Sequence, residues 1–213
     1  MSTEHPTSRP APGSATNASF WSYAAAFGAL WGSVEITLGT FLNTLRLPFA
    51  GVILASIGVV FLVAARQIVP RRGTSIATGL VAALAKSLSP GGIILGPMIG
   101  ILSEAAVVEI VLLPAPRARP AAALAGIICA LWAASQKLLT QVLLYGSVVL
   151  DLYLTALGRA RSWLDLPPST GWWAAAGLSI LIATIGATAG IIGHRVGVVV
   201  VAKRTSEGVH AQR

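Results

Sequence analysis

Charged residues are scarce in this chain. Asp, Glu, Lys and Arg make up 10% of its 213 residues, whereas a soluble domain carries roughly 25%. So few charges do not cover a surface that faces water, which excludes an ordinary soluble globular domain. Hydrophobic residues make up 55% of the chain, and a lipid bilayer is the solvent in which such a surface is stable.

The chain also has few residues suited to catalysis or metal binding. Its single cysteine, Cys129, lies within an apolar run, so no disulfide framework can form. The sequence contains no HExxH motif, no Gly-x-Ser-x-Gly elbow, no Walker A loop and no spaced Cys/His set. We therefore expect no catalytic residues, no metal and no cofactor, and predict that the chain is not an enzyme.

The net charge of +8 does not indicate a nucleic-acid binder, because of where the basic residues lie. They stand mostly at the edges of apolar runs, which is where cytoplasmic loops of membrane proteins carry positive charge. A nucleic-acid site would need a basic patch outside the membrane. We expect the lipid bilayer as a partner, and no nucleic acid.

Apolar segments separated by breaks predict an all-α integral membrane protein, a bundle of about six transmembrane helices. The transmembrane helical domain is expected at 20–201, after a disordered cytoplasmic tail at 1–19 and before a cytoplasmic tail at 202–213. The six segments run from about Phe20 to Leu45, after Pro48 to Val69, Thr74 to Leu88, Ile93 to Leu113, Ala121 to Tyr145 and Gly171 to Val201.

The distribution of Lys and Arg predicts the orientation. With the N-terminus inside, nine basic residues fall on the inner side and three in outer loops, so the positive-inside rule favours two cytoplasmic termini. This corresponds to a multi-pass protein of the cytoplasmic membrane. A seven-span alternative stays open, because 121–157 is apolar for longer than one span needs; it would place the termini on opposite sides.

Ionisable residues inside membrane spans are candidate functional groups, since each costs roughly 3 kcal/mol to insert. Five fall within the predicted spans: Glu35, Lys86, Glu104, Glu109 and Lys137. Glu35 and Lys137 have similar depths in the outer half, so they are expected either to form a structural ion pair or to share a ligand. Glu109 is expected at the inner interface, and Arg66 is expected to snorkel there.

Further polar residues are predicted at the same outer level. Hydrogen-bonding groups that converge on one side favour a site for a small polar ligand that enters from outside. Ser89 precedes a Pro-Gly-Gly turn, where freed backbone groups could line a cavity, although a plain turn explains the motif equally well. The predicted substrate-binding residues are Glu35, Asn43, Lys86, Ser89, Lys137 and Gln141.

Small residues recur at three- or four-residue spacing in the first and last spans. Ala25-x-x-x-Ala29 overlaps Gly28-x-x-x-Gly32 in the first, and Gly186, Gly190, Gly193 and Gly197 follow one another in the last. This spacing lets helices approach closely. It serves either packing within the bundle or docking on another protein.

Taken together, these features resemble the substrate-binding S components of energy-coupling factor (ECF) transporters. The residues that carry the resemblance are Ala25-x-x-x-Ala29, the Trp31-Gly32-Ser33-Val34-Glu35 stretch, and Lys86-Ser87-Leu88-Ser89-Pro90-Gly91-Gly92 leading to Gly96-Pro97-Met98-Ile99-Gly100. The resemblance covers most of 20–201 and lies in the architecture.

The resemblance implies a six-span membrane subunit that captures a vitamin-like solute from outside. Its partners would be an ECF T component and two ATPase subunits, and Ala25 and Ala29 would dock on the T component. The pocket would lie near the outer surface. The substrate itself stays open.

Two alternatives come from other functional classes. A stand-alone facilitator or ion-coupled transporter would use Glu104 and Glu35 for proton coupling. A membrane-embedded enzyme acting on lipid, or a structural scaffold, is the other alternative. Whether Glu104 and Glu109 are functional is left open by the sequence.

Overall fold

The computed structural model describes residues 12–45, 49–88, 95–146, 148, 151, 155 and 170–210. In this part of the chain the regular secondary structure is entirely α-helical, as predicted. Its six helices are α1 (Pro12–Thr44), α2 (Ala50–Ile68), α3 (Thr74–Ser87), α4 (Leu95–Leu112), α5 (Arg119–Tyr145) and α6 (Thr170–His210).

Within the described residues, three helical segments are long and apolar enough to cross a membrane: Ser19–Leu42, Ala50–Ile68 and Ala175–Lys203. α3 is the shortest of the six helices described. Its 14 residues span about 21 Å at 1.5 Å per residue, which is less than the roughly 30 Å of a hydrocarbon core.

Two helices extend beyond the predicted spans. α1 begins at Pro12, so residues 12–19, which were expected to be disordered, are helical. Proline is well tolerated at the first position of a helix, where its missing N–H would have no partner. α6 likewise continues to His210, past the apolar stretch that the span prediction followed.

The outer surface of the bundle is apolar on every helix. Leu84 of α3 is 55% exposed, Ile110 of α4 is 64% exposed and Ile180 of α6 is 66% exposed. Soluble monomers rarely expose extensive apolar surface. The exterior therefore matches a lipid environment, in agreement with the candidate membrane spans.

Consecutive helices run in alternating directions. α1 lies parallel to α3, because Gly28 faces Thr78 and Val81 while Gly32 faces Ala82 and Ala85. α2 and α4 end, and α3 and α5 begin, at the same end of the bundle. We call this the basic end, because Arg66, Arg71, Arg72, Arg117 and Arg119 lie there; the other is the opposite end.

The interior is built around Trp31, which is fully buried. Its indole packs on α2 at Gly58, where an added Cβ would come within 2.6 Å of the ring. Trp31 belongs to a cluster of buried side chains that includes Val59, Ala82 and Ile101. This cluster joins α1 to α2, α3 and α4 in mid-bundle.

α5 and α6 cross in close backbone contact. A Cβ added at Gly186 would collide with the carbonyl oxygen of Gly126, and one added at Gly190 with that of Ala122. Part of the small-residue ridge in the last helix thus serves packing inside the bundle. Such backbone contact replaces the hydrophobic driving force that lipid removes.

The close contact between α5 and α6 predicts that one added methyl group destabilises the protein. Gly186→Ala should destabilise the protein by about 1–3 kcal/mol, the usual cost of overpacking, because the backbones must move apart. Gly177→Ala is the matched control on the same helix, since nothing lies within 4 Å of its added Cβ. Thermal unfolding of the detergent-purified protein measures both variants. Equal melting temperatures would contradict the crossing.

Candidate functional site

Lys86 reaches from α3 to α1 near the opposite end. Its Nζ donates a hydrogen bond to the backbone carbonyl of Glu35, at 2.8 Å. The residue one turn further along α1 is Gly39, where an added Cβ would lie 3.2 Å from that Nζ. The absence of a side chain at Gly39 therefore gives the Lys86 amine room beside α1.

The carboxylate of Glu35 is buried at the same place, with 6% of the residue exposed. It interacts electrostatically with Lys86 and lies next to the Trp31 indole. The indole N–H itself makes no hydrogen bond of ordinary geometry. Lys86 is thus the positive charge that accompanies Glu35 within the described structure.

Glu104 of α4 is a second buried carboxylate, also 6% exposed. Its Oε2 has no hydrogen-bond partner among the described residues. The Cys129 thiol donates to its backbone carbonyl, at 3.7 Å, and Glu35 is near enough to interact with its charge. This part of the interior therefore holds two carboxylates, Glu35 and Glu104, and the Lys86 amine contacts the backbone of Glu35.

Polar contacts join α4 to α5 on the side toward the opposite end. The Trp132 indole donates to the Ser103 hydroxyl, at 2.7 Å, and the Gln136 amide donates to the Gly96 carbonyl, at 3.3 Å. A cleft of about 340 Å³ lies along α5 here, and its lining includes Trp132, Ser135, Gln136, Leu139 and Val142.

A separate buried cluster lies at the basic end. Glu109 of α4 accepts hydrogen bonds from the backbone amides of Gly73, at 2.6 Å, and Ser75, at 3.0 Å. Its Oε1 is also 3.4 Å from Nη2 of Arg66. Glu109 therefore caps the start of α3, where a helix favours negative charge. Gly73 has φ +87°, a conformation that favours glycine.

This cluster corrects one sequence-based expectation. Arg66 was expected to snorkel to the interface, yet it is 2% exposed. Glu109 was expected at the inner interface; it lies at the basic end and is packed inside the protein, 4% exposed, and its depth in a membrane stays a prediction. Arg66 and Glu109 can both be buried because each supplies the opposite charge that the other needs. The start of α3 adds two hydrogen bonds to the Glu109 carboxylate.

The structure brings together only part of the predicted substrate site. Glu35 and Lys86 meet as described, a contact that the sequence did not predict. The side chains of Asn43, Lys137 and Gln141, and all of Ser89, lie outside the described residues. The Glu35–Lys137 pairing therefore stays a prediction.

Two residues beside the α5 cleft, Trp132 and Ser103, were not predicted as site residues. They form a hydrogen bond between neighbouring helices, which only the pairing of α4 with α5 reveals. A Trp in the middle of an apolar run carries an N–H that needs a partner, which is the signal that could have singled it out. Among the described residues, no group of three or more His, Cys, Asp or Glu is placed to hold a metal ion.

The predicted docking residues lie on the surface. Ala25 and Ala29 are exposed on α1, whereas Gly28 and Gly32 on the adjacent face are buried against α3. The two overlapping small-residue motifs thus face different surroundings. The hydroxyl of Ser33, which continues the exposed face, donates to the carbonyl of Ala29 at 2.8 Å and so is satisfied within the helix.

Comparison with known proteins identifies no relative: no family model matches the chain, and neither a curated protein nor a solved structure is detectably similar to it.

The buried ion pair at the basic end predicts a non-additive effect. Glu109→Gln should destabilise the protein by about 3–5 kcal/mol, because it leaves the Arg66 charge buried without its partner. The double variant Arg66→Met/Glu109→Gln should regain part of that loss, since it removes the orphaned charge. Chemical unfolding in mixed micelles gives the free energies. A double variant no more stable than Glu109→Gln would contradict the pairing.

Proposed function

We propose that this chain is the membrane-embedded solute-binding subunit of an ATP-driven uptake transporter. It captures a small vitamin-like solute from outside the cell and docks on an ECF T component that two ATPase subunits drive. It carries out no catalysis itself. The proposal rests on the sequence resemblance together with three structural features.

The first feature is the placement of positive charge. In the proposed topology all six helices cross the cytoplasmic membrane, α3 at a thinned or re-entrant region, and the basic end faces the cytoplasm with both termini. The exposed Arg71, Arg72, Arg117, Arg119 and Lys203 then lie on the inner side, as the positive-inside rule requires. The end that carries Lys86 and the α5 cleft faces outward.

The second feature supports solute capture. The cleft beside Trp132 and Gln136 has the volume of a small-molecule site, and such sites combine a mainly apolar lining with a few polar groups. Glu35 and Lys86 supply charges of both signs in the same half of the bundle. A zwitterionic or otherwise polar vitamin-like molecule suits such groups.

The third feature carries the docking part of the proposal. α1 presents one small-residue face to the bundle, at Gly28 and Gly32, and a second to its surroundings, at Ala25 and Ala29. A helix that faces only lipid has no need of small side chains on its outer face. A helix that packs closely on a partner helix does need them, because small residues let the two backbones approach and gain van der Waals contact.

Docking can be tested by enlarging the side chains on the exposed face of α1. The chain is co-expressed with a T component and two ATPase subunits from the same source, and the complex is purified through a tag on this chain. Ala25→Leu and Ala29→Leu should each reduce T-component recovery at least about tenfold, a loss of roughly 1.4 kcal/mol in binding. The added bulk keeps the helices apart.

Ala176→Leu is the control, because Ala176 is also exposed but lies on α6. It should leave recovery unchanged. Normal recovery with both α1 variants, or no complex with the unmodified chain, would contradict the proposal.

A further inference from the structure

We propose that Glu104 is a proton-binding site in the middle of the bundle, occupied at neutral pH. This goes beyond solute capture and partner docking and does not depend on either. It rests on the surroundings of one carboxylate oxygen.

The Glu104 side chain is buried and incompletely hydrogen-bonded. The residue is 6% exposed, and its Oε2 has no donor within the described structure. Ala105 and Val108, close to it along α4, are buried apolar residues. A buried carboxylate oxygen without a donor is costly in such surroundings, and the group avoids the cost by binding a proton.

The charged groups around Glu104 do not neutralise it. Glu35 approaches from α1 with the same charge, and Cys129 approaches from α5 with a thiol. Lys86 on α3 is hydrogen-bonded to the Glu35 backbone. Arg66 on α2 is paired with Glu109 at the basic end.

A proton fits this site better than a metal cation. A hard cation such as Ca²⁺ takes six to eight oxygen ligands, as a rough guide. Glu35 and Cys129 are the nearby candidate ligands, and the described residues include no group of three or more His, Cys, Asp or Glu placed to hold a metal ion. A proton needs only the one free oxygen, Oε2.

Coupling to Glu35 gives the proton a role. A negative charge on Glu35 favours the protonated form of Glu104, because like charges disfavour ionisation. Lys86 offsets that charge. If a solute draws Lys86 away from Glu35, Glu104 holds its proton more tightly, and by linkage the proton then favours the solute. This last step rests on the proposed function; occupancy of the site does not.

Infrared difference spectroscopy of the purified full chain tests the occupancy. The spectrum at neutral pH should contain the carbonyl stretching band of a protonated, buried carboxylic acid. Glu104→Gln should remove the band and leave the melting temperature unchanged, because Gln resembles the neutral acid in shape. Glu104→Asp should shift the band. Asp151→Asn, at an exposed position, is the control and should leave it in place.

The coupling has its own measurement. In Glu35→Gln the band should disappear at a lower pH than in the unmodified protein, since the nearby negative charge is gone. An unchanged pH profile would overturn the coupling. A missing band at neutral pH in the unmodified protein, or a band that persists in Glu104→Gln, would overturn the site. Neither outcome depends on a partner or a solute, so the site can fail while the proposed function stands.

Discussion

The cost of burying charge is the constraint on which this structure depends. The exterior is apolar, so an ionisable side chain that enters the bundle must find a partner inside it. Glu109 does so with Arg66 and the start of α3, and Lys86 does so with the backbone of Glu35. Glu104 is left with a carboxylate oxygen that has no hydrogen-bond partner among the described residues. The polar groups of the interior are therefore unevenly satisfied, and this carboxylate marks where we place a proton.

Close helix packing makes these polar contacts geometrically available. Lys86 reaches α1 because Gly28 and Gly32 let α3 lie against that helix, and because Gly39 leaves room for the amine. The α5–α6 crossing at Gly126 and Gly186 holds the other side of the bundle. In lipid such contact is the main source of helix association, so the same glycines that stabilise the bundle also position its charges.

The sequence predicted the helices well because the signals are local. Apolar runs bounded by Pro, Gly and Arg give α2 to α5 to within a few residues. The extensions of α1 and α6 were missed, because the prediction followed hydropathy and those segments are polar.

The partners of the buried charges could not be predicted in the same way. Glu35 was matched to Lys137 by depth alone, and depth does not say which helices are neighbours or how they are rotated. The structure places α1 against α3, which makes Lys86 a neighbour of Glu35, while the side chain of Lys137 lies outside the described residues. Arg66 and Glu109 lie in different helices, 43 positions apart in the printed sequence, and their pairing appears only once α2 and α4 are side by side.

The central claim is that the bundle has a lipid-facing exterior and that the α5 cleft at Gln136 opens to water at the end opposite the basic one. Cysteine accessibility tests it most directly, in a Cys129→Ala background that removes the one native thiol. In right-side-out vesicles, Gln136→Cys should react with a membrane-impermeant thiol reagent, and Ile180→Cys only with a lipid-soluble one. Labelling of Gln136→Cys solely by the lipid-soluble reagent, or solely in inverted vesicles, would contradict the account.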